Sequence, residues 1–179
     1  MTRYRTIVAD PPWHYPRGHA ARQHLSNPYP TMTIGELCAL PVDDLAEQSA
    51  YLYLWTTNEH LRFAFSVLGA WGFAFKTVLV WCKPNIGMGG AYRGSHELVL
   101  VGERGKNDLK RRDVGTWHVW SQKYGSSGKT NSAKPDAFYD LVESVGHGPY
   151  LEMFSRRERL GWESWGNEAL NPIELPDVA

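Results

Sequence analysis

Apolar residues along the chain alternate between short continuous runs and stretches with helical spacing. The continuous runs predict buried strands because they are short, rich in β-branched and aromatic residues, and bounded by turn-forming residues. They cover residues 4–9, 50–55, 74–81, 97–101 and 150–154, and residues 114–120 predict a further strand at an edge of the sheet. The chain therefore has the strand content of a single central sheet.

Three stretches between the runs predict helices. Thr33 and Glu36 have the spacing of a capping box, Asn58 is placed to cap a second helix, and Pro135 lies where a third helix begins. Buried strands that alternate with amphipathic helices predict an α/β fold with a mostly parallel sheet and helices on both faces. In such folds ligands bind beyond the carboxyl ends of the strands, near a topological switch point.

Length and charge limit the class of protein. A chain of 179 residues is the usual length of one domain, and we expect that domain to cover residues 1–168, with a loosely ordered tail over residues 169–179. The formal net charge of zero excludes a histone-like grip on nucleic acid but allows local basic patches. The 2 cysteines lack the spacing of a zinc finger, and with no leader or apolar span they favour a cytoplasmic protein.

The sequence Asp10-Pro11-Pro12-Trp13 directly follows the first predicted strand. Two prolines fix the backbone and remove two N–H donors, which leaves the Asp10 carboxylate and the Pro11 carbonyl as acceptors. Paired acceptors suit an amine with two N–H groups, and Trp13 could offer a flat face to a base. The alternative is a strand-ending turn with a buried tryptophan, but the position at the end of a strand favours a functional site.

Lys134 and Glu152 are further candidates. A lysine before a helix is disfavoured by the helix dipole unless an anionic ligand is bound there, although a solvated lysine is the commoner case. Glu152 interrupts an apolar strand, where a buried carboxylate needs a partner. Such a carboxylate could accept ribose hydroxyls, or it could pair with Arg156 or Arg157.

Segments spread over residues 4–168 resemble, in one order, the DPPW family of S-adenosylmethionine-dependent N6-adenine methyltransferases. This family includes the catalytic subunit of the eukaryotic messenger-RNA adenosine methyltransferase and bacterial and phage DNA adenine methylases. Besides residues 10–13, the matching segments are residues 29–33, 51–57, 71–73, 80–83, 132–136, 151–156 and 162–168. The resemblance implies a Rossmann-like methyltransferase fold with permuted motifs, in which the catalytic motif precedes the cofactor motif.

The resemblance also implies roles for individual residues. No metal is expected, because no carboxylate or cysteine pattern accompanies His14, His19 and His24. The expected catalytic residues are Asp10, Pro11, Pro12 and Trp13. The expected contacts to S-adenosylmethionine are Asp10, Lys134, Glu152, Phe154, Arg156, Asn167 and Glu168. The expected contacts to the nucleic-acid substrate are Trp13, Tyr15, Arg17, Arg22 and Tyr29. The chain departs from the family at Ser155, where glycine is common, and at Arg157 and Arg159, near the positions of ribose-binding histidine and asparagine.

The substrate and the partners stay open at this point. Small single-domain members of the family favour DNA by analogy, while RNA remains the alternative. A protein glutamine is disfavoured because those methylases carry asparagine in place of Asp10. A non-catalytic nucleic-acid-binding subunit of a methyltransferase pair is a further alternative function. The assembly is also open between a homodimer and a complex with a partner subunit. A basic cluster of Lys106, Lys110, Arg111 and Arg112 is a candidate phosphate track if it lies beside the base pocket.

Overall fold

The computed structural model describes residues 2–14, 30–84, 91–106, 108–121 and 134–176. Within these residues the strands are β1 (Tyr4–Ala9), β2 (Ala46–Thr56), β3 (Ala74–Cys82), β4 (His96–Arg104), β5 (Trp117–Val119), β6 (Tyr150–Met153) and β7 (Trp162–Trp165). The helices are α1 (Ile34–Cys38), α2 (Val42–Leu45), α3 (Leu61–Ala70) and α4 (Asp136–Val145). In this described part of the chain, no helix is long and apolar enough to cross a membrane.

The strands form one sheet in the order β5-β3-β4-β2-β1-β6-β7. Strand β1 pairs in parallel with both β2 and β6, and the pairs β6–β7 and β3–β5 are also parallel. The predicted α/β fold with a mostly parallel sheet is confirmed, with β4 as an antiparallel strand between β2 and β3. The chain proceeds from β1 to one neighbour and returns to its other side at β6, so β1 lies at a topological switch point.

Helices cover both faces of the sheet, as predicted. Successive strand residues point to opposite faces, and β2 shows this clearly. Leu52 and Leu54 belong to a buried cluster with Leu37 of α1 and Leu68 of α3. The tyrosine and tryptophan residues of β2 belong to a second buried cluster, on the face covered by α4. Its members include Tyr51, Tyr53, Trp55, Phe138, Tyr139 and Val142.

The antiparallel strand β4 determines which residues meet at the functional edge of the sheet. Ala9 of β1 pairs with Leu54 of β2 and with Met153 of β6, so these three strands end at the same edge. We call it the carboxyl edge. Because β4 runs in the opposite direction, it begins at this edge, where His96 pairs with Cys82 at the end of β3.

Element boundaries differ from the sequence predictions where side chains, rather than local patterns, decide them. The capping box of Thr33 and Glu36 is confirmed. Helix α3 begins three residues after Asn58, with His60 at its N-cap position. Strand β4 extends beyond its apolar centre because it pairs with β3 from His96 onwards and with β2 as far as Arg104. Strand β2 begins earlier than predicted, at Ala46, which pairs with Tyr4 of β1. Strand β7 was not predicted, since its four residues mix polar and aromatic side chains.

The beginning of the predicted tail packs against the domain. The Ile173 N–H donates to the Ser164 carbonyl at 2.9 Å, and the side chains of Ile173 and Leu175 contact the first core cluster. Residues 177–179 lie outside the described residues. The division into a domain over 1–168 and a loosely ordered tail stays a prediction, and these contacts attach at least the first part of the tail to β7.

Two glycines provide a matched test of the packing between α3 and the sheet. A Cβ at Gly102 of β4 would lie 2.9 Å from the Phe73 Cβ and 3.1 Å from the Leu68 Cδ1, whereas a Cβ at Gly69 meets nothing within 4 Å. We expect Gly102→Ala to lower the free energy of unfolding by about 1–3 kcal/mol through overpacking. Gly69→Ala should leave it unchanged or raise it by up to about 1 kcal/mol. Urea titrations measure both, and equal effects would contradict the packing described.

Candidate active site

The turn after β1 is held by hydrogen bonds to its carbonyl groups. The Trp13 N–H donates to the Pro11 carbonyl at 2.9 Å, and the Met32 N–H donates to the Pro12 carbonyl at 2.9 Å. Pro11 and Pro12 have no N–H of their own, so the sheet ladder ends here and the turn presents mainly acceptors. A carbonyl oxygen has two lone pairs, and the Pro11 carbonyl therefore retains capacity for a second donor.

The Trp13 side chain lies inside the protein. It is 5% exposed, its Nε1–H donates to the Trp55 carbonyl at 3.1 Å, and its ring stacks on His60 with the centroids 5.5 Å apart. In this arrangement Trp13 anchors the turn. Its predicted stacking on a base stays a prediction.

Four charged side chains meet at the carboxyl edge, and we call them the charged cluster: Asp10, Lys83, Glu97 and Lys134. The Lys134 ammonium lies 3.0 Å from Asp10 Oδ2 and 2.9 Å from Glu97 Oε2. Lys83 donates to the other carboxylate oxygen of Glu97. Two cations thus neutralise two carboxylates where β1, β3, β4 and α4 converge. Lys134 is predicted to contact the cofactor, and that role stays a prediction beside these two ion pairs.

Burial and charge shift the pKa values within this cluster in different directions. Burial raises the pKa of the Asp10 carboxyl, and the attraction of Lys134 only partly offsets this effect. Burial would lower the pKa of Lys134, but the carboxylates of Asp10 and Glu97 outweigh it and raise that pKa. Burial would raise the pKa of Glu97, but Lys134 and Lys83 lower it. The carboxylate with one lysine partner thus has its pKa raised, and the carboxylate with two has its pKa lowered.

A cleft opens beside Asp10, between the turn after β1 and the end of β6. It brings together the predicted cofactor residues Asp10, Phe154, Arg156, Asn167 and Glu168. The rest of its lining is Pro12, Pro30, Met32, Ser155, Trp165 and Gly166. The predicted catalytic turn and most of the predicted cofactor contacts therefore surround one space, on the side of β1 where a switch-point ligand is expected.

One wall of the cleft is a tight backbone turn after β6. Phe154 has a φ of +62°, which is unusual for a residue with a side chain. The Ser155 N–H donates to the Trp165 carbonyl at 3.0 Å, and the Phe154 ring packs against Trp165 with the centroids 5.2 Å apart. A Cβ at Gly166 would lie 2.6 Å from the Ser155 nitrogen, so only glycine allows this close approach.

Glu152 does not line this cleft. Its side chain lies on the face covered by α4, where it is 7% exposed and accepts a hydrogen bond from the Tyr139 hydroxyl at 2.5 Å. Burial raises the pKa of Glu152 in spite of this hydrogen bond and of the nearby Arg157. The predicted contact of Glu152 with a ribose stays a prediction.

The arginines that replace the family's ribose contacts bind α4 instead. Arg157 pairs with Asp136 in the first turn of the helix. Arg159 pairs with Asp140 at 2.5 Å and with Glu143 at 2.7 Å. These ion pairs fasten the segment after β6 to α4.

The other predicted substrate residues, Tyr15, Arg17, Arg22 and Tyr29, lie outside the described residues. In the basic cluster, the Lys110 ammonium donates to the Glu143 carbonyl at 2.8 Å and to the Tyr150 hydroxyl at 3.0 Å. Tyr150 begins β6, so Lys110 lies at the edge of the sheet opposite Asp10. The interpretation of that cluster as a phosphate track required a position beside the base pocket, and Lys110 does not meet that condition.

Sequence reasoning missed Lys83, Glu97 and His60. Glu97 and Lys83 carry a usable signal, because each is a charged residue at the end of an apolar strand run. Their meeting depends on the reversed direction of β4, which the pattern alone does not give. Among the described residues, no group of three or more histidine, cysteine, aspartate or glutamate side chains is arranged to hold a metal ion.

Comparison with known proteins gives a match over nearly the whole chain. The MT-A70 family model matches residues 4–168. The type II methyltransferase M.MunI of Mycoplasma sp is 30% identical over 194 residues, which cover 97% of this chain and 82% of that protein. The N(6)-adenine-specific methyltransferase METTL4 of Homo sapiens is 29% identical over 93% of this chain and 38% of its own length.

A fungal relative adds a second kind of substrate to this set. The N6-methyladenosine RNA methyltransferase MTA1 of Cryphonectria parasitica is 27% identical over 92% of this chain. The matched region is 51% of that protein. The chain therefore spans most of M.MunI but only about half or less of METTL4 and MTA1.

Replacement of each lysine of the charged cluster leaves a different number of carboxylates without that cation. Lys134 contacts both carboxylates and its side chain is 8% exposed, whereas Lys83 contacts only Glu97 and is 28% exposed. We expect Lys134→Met to lower the free energy of unfolding by about 3–5 kcal/mol, because two buried carboxylates lose their shared cation. Lys83→Met should cost about 1 kcal/mol. Denaturant unfolding at neutral pH measures both, and equal losses would contradict the assigned roles.

Proposed function

The chain belongs to the MT-A70 family, and on that premise we propose that it transfers a methyl group from S-adenosylmethionine to the N6 amine of adenine in nucleic acid. The observation that carries the proposal is that Asp10, the first residue of an acceptor-rich turn, lines the cleft at the switch point. The names of METTL4 and MTA1 specify methylation of adenine or adenosine at N6, which is the chemistry these acceptors suit.

The two acceptors of the turn address the difficulty of this reaction. The exocyclic amine of adenine is a poor nucleophile because its lone pair is delocalised into the ring. The Lys134 ammonium pairs with Asp10 Oδ2. We assign the two N–H groups of the amine to the remaining acceptors, which are Asp10 Oδ1 and the second lone pair of the Pro11 carbonyl. These hydrogen bonds localise the lone pair and stabilise the positive charge that develops on nitrogen during transfer.

The shifted pKa of Asp10 strengthens this role. A carboxylate whose pKa is raised by burial holds a hydrogen-bond donor more strongly than a solvated one, since the low dielectric weakens competing solvation. The Lys134 cation keeps Asp10 ionised and directed, and Glu97 in turn holds Lys134. In a direct transfer the amine nitrogen would form its bond to the methyl carbon as the methyl–sulfur bond breaks, and it would then release one proton to solvent. Such a transfer needs no covalent enzyme intermediate.

The lining of the cleft fits S-adenosylmethionine, which supplies its methyl group from a sulfonium sulfur. Asn167 and Glu168 are exposed at the mouth of the cleft and offer amide and carboxylate groups for the ribose hydroxyls. Arg156 offers a cation for the carboxylate of the methionine part. Gly166 packs closely against the backbone of Phe154 and Ser155, which fixes this wall of the cleft. Asp10, on the opposite wall, would place the acceptor amine against this space.

DNA is the substrate that we favour, with RNA as the second candidate. The choice rests on analogy with small single-domain DNA methylases, and this chain matches 82% of the length of M.MunI. RNA is supported by the name of MTA1, of which the chain matches only about half. A non-catalytic subunit is disfavoured because Asp10, Pro11 and Lys134 are all present in a connected arrangement.

A methylation assay tests the proposed reaction. Purified protein is incubated with S-adenosylmethionine and with separate DNA and RNA pools, and the products are digested to nucleosides for mass spectrometry. We expect N6-methyladenine from DNA, and Asp10→Ala should lower the rate by about 100-fold or more because it removes an acceptor aimed at the developing charge. Asp113→Ala, which removes an exposed carboxylate paired with Arg111, is the matched control and should keep the rate. Product from RNA alone would favour the second candidate, and none from either pool would reject the proposal.

Two asparagines, one inside the cleft and one outside it, test the proposed binding of S-adenosylmethionine. Asn167 lines the cleft, whereas Asn171 lies outside it and donates to Glu158 at 2.9 Å. We expect Asn167→Ala to weaken the binding of S-adenosylmethionine about 5- to 10-fold, the value of roughly one hydrogen bond. Asn171→Ala should leave the dissociation constant unchanged. Titration calorimetry measures both constants, and an unchanged value for Asn167→Ala would remove this residue from the site.

A further inference from the structure

His60 is a buried polar residue that the proposed chemistry does not use. It lies between the end of β2 and the start of α3 and is 2% exposed. Its Nε2 is 3.1 Å from the His14 carbonyl, and its Nδ1 is 3.2 Å from the Thr57 hydroxyl. Its ring stacks on Trp13 at an interplanar angle of 20°. Every part of the imidazole is thus engaged next to the catalytic turn.

The partners of the ring assign its hydrogen. A carbonyl oxygen only accepts, so the Nε2 of His60 carries the proton and donates to His14. The Nδ1 then accepts from the Thr57 hydroxyl, which can rotate to donate. The neutral ring satisfies both contacts at once, as a buried polar group requires.

These contacts reach the catalytic turn from one side. Trp13 and His14 directly follow the prolines that present the acceptors, and the Trp13 backbone N–H donates to the Pro11 carbonyl itself. The Trp13 side chain is fixed by the Trp55 carbonyl and by the face of His60. Displacement of the His60 ring would therefore move the residue that holds the Pro11 carbonyl in place.

We propose that His60 is a positioning residue for the methyl transfer, which fixes the Pro11 carbonyl by stacking on Trp13 and binding the His14 carbonyl. The inference rests on the proposed function for its kinetic consequence. In this arrangement Trp13 supports the turn, because its indole ring stacks on His60 and its Nε1–H donates to the Trp55 carbonyl. An acceptor pair displaced by a fraction of an ångström would lose rate rather than cofactor affinity.

Two substitutions separate the two contacts of His60. His60→Phe keeps an aromatic ring against Trp13 but removes both hydrogen bonds. His60→Gln removes the ring and keeps an N–H donor within reach of the His14 carbonyl. His118 offers a matched control, because it also stacks on a tryptophan, Trp120 at 4.6 Å, and its Nε2 is 2.9 Å from the Gly115 carbonyl. It belongs to β5, away from the catalytic turn.

The kinetic experiment compares these variants in the methylation assay, with cofactor affinity from calorimetry and melting temperature as a separate readout. We expect His60→Phe to lower kcat about 10- to 100-fold with a dissociation constant for S-adenosylmethionine within about threefold of wild type. His60→Gln should recover part of that loss, and His118→Phe should keep kcat. A wild-type kcat in His60→Phe, or an equal loss in His118→Phe, would overturn the inference.

Hydrogen exchange tests the positioning without reference to activity. We expect His60→Phe to speed exchange of the Trp13 and His14 amides about 10-fold or more, because both amides donate within the turn, to the Pro11 and Met32 carbonyls. Unchanged exchange there would overturn the inference even if kcat falls. If the wild-type protein forms no N6-methyladenine, the proposed function fails, and the exchange rates still decide whether His60 positions the turn.

Discussion

The shared ion pair of Lys134 with Asp10 and Glu97 is the interaction on which the site depends. It joins the end of β1, the start of β4 and the residue that precedes the N-cap of α4. Transfer of these charges from water is costly, and only good geometry with further partners offsets it. Lys83 supplies such a partner for Glu97. The charged cluster therefore forms only when β1, β4 and α4 are correctly packed, so the site depends on the complete fold.

The unequal sharing of cations gives the two carboxylates different chemistry. Glu97 is held by two lysines, and its pKa is lowered, whereas Asp10 has one of them and keeps a raised pKa. The group that faces the cleft is therefore the better acceptor, and the group behind it acts as a fixed counterion. This difference follows from topology, because an antiparallel β4 is what delivers Glu97 to the edge where β1 ends.

Much of this arrangement could be predicted from local sequence. Apolar runs and the capping box of Thr33 and Glu36 located the strands and α1, and the Asp10–Trp13 sequence located the catalytic turn. The direction of β4 is set by pairing with β2 and β3, which are distant in sequence, so Glu97 and Lys83 went unrecognised. Strand alternation directs Glu152 towards Tyr139, on the other side of the sheet from Leu151 and Met153, and its predicted contact with a ribose stays a prediction.

The composition of the catalytic turn explains why it needs support from outside. Two prolines give it acceptors for an amine and deprive it of the N–H groups with which turns usually stabilise themselves. Hydrogen-bond donors for the carbonyl groups of the turn must then come largely from residues outside it. Met32 donates to Pro12, and the Nε2–H of His60 donates to His14, while the Trp13 N–H uses one lone pair of the Pro11 carbonyl. The excess of acceptors that suits the turn to bind an amine is also the reason that its geometry is determined by residues beyond the motif.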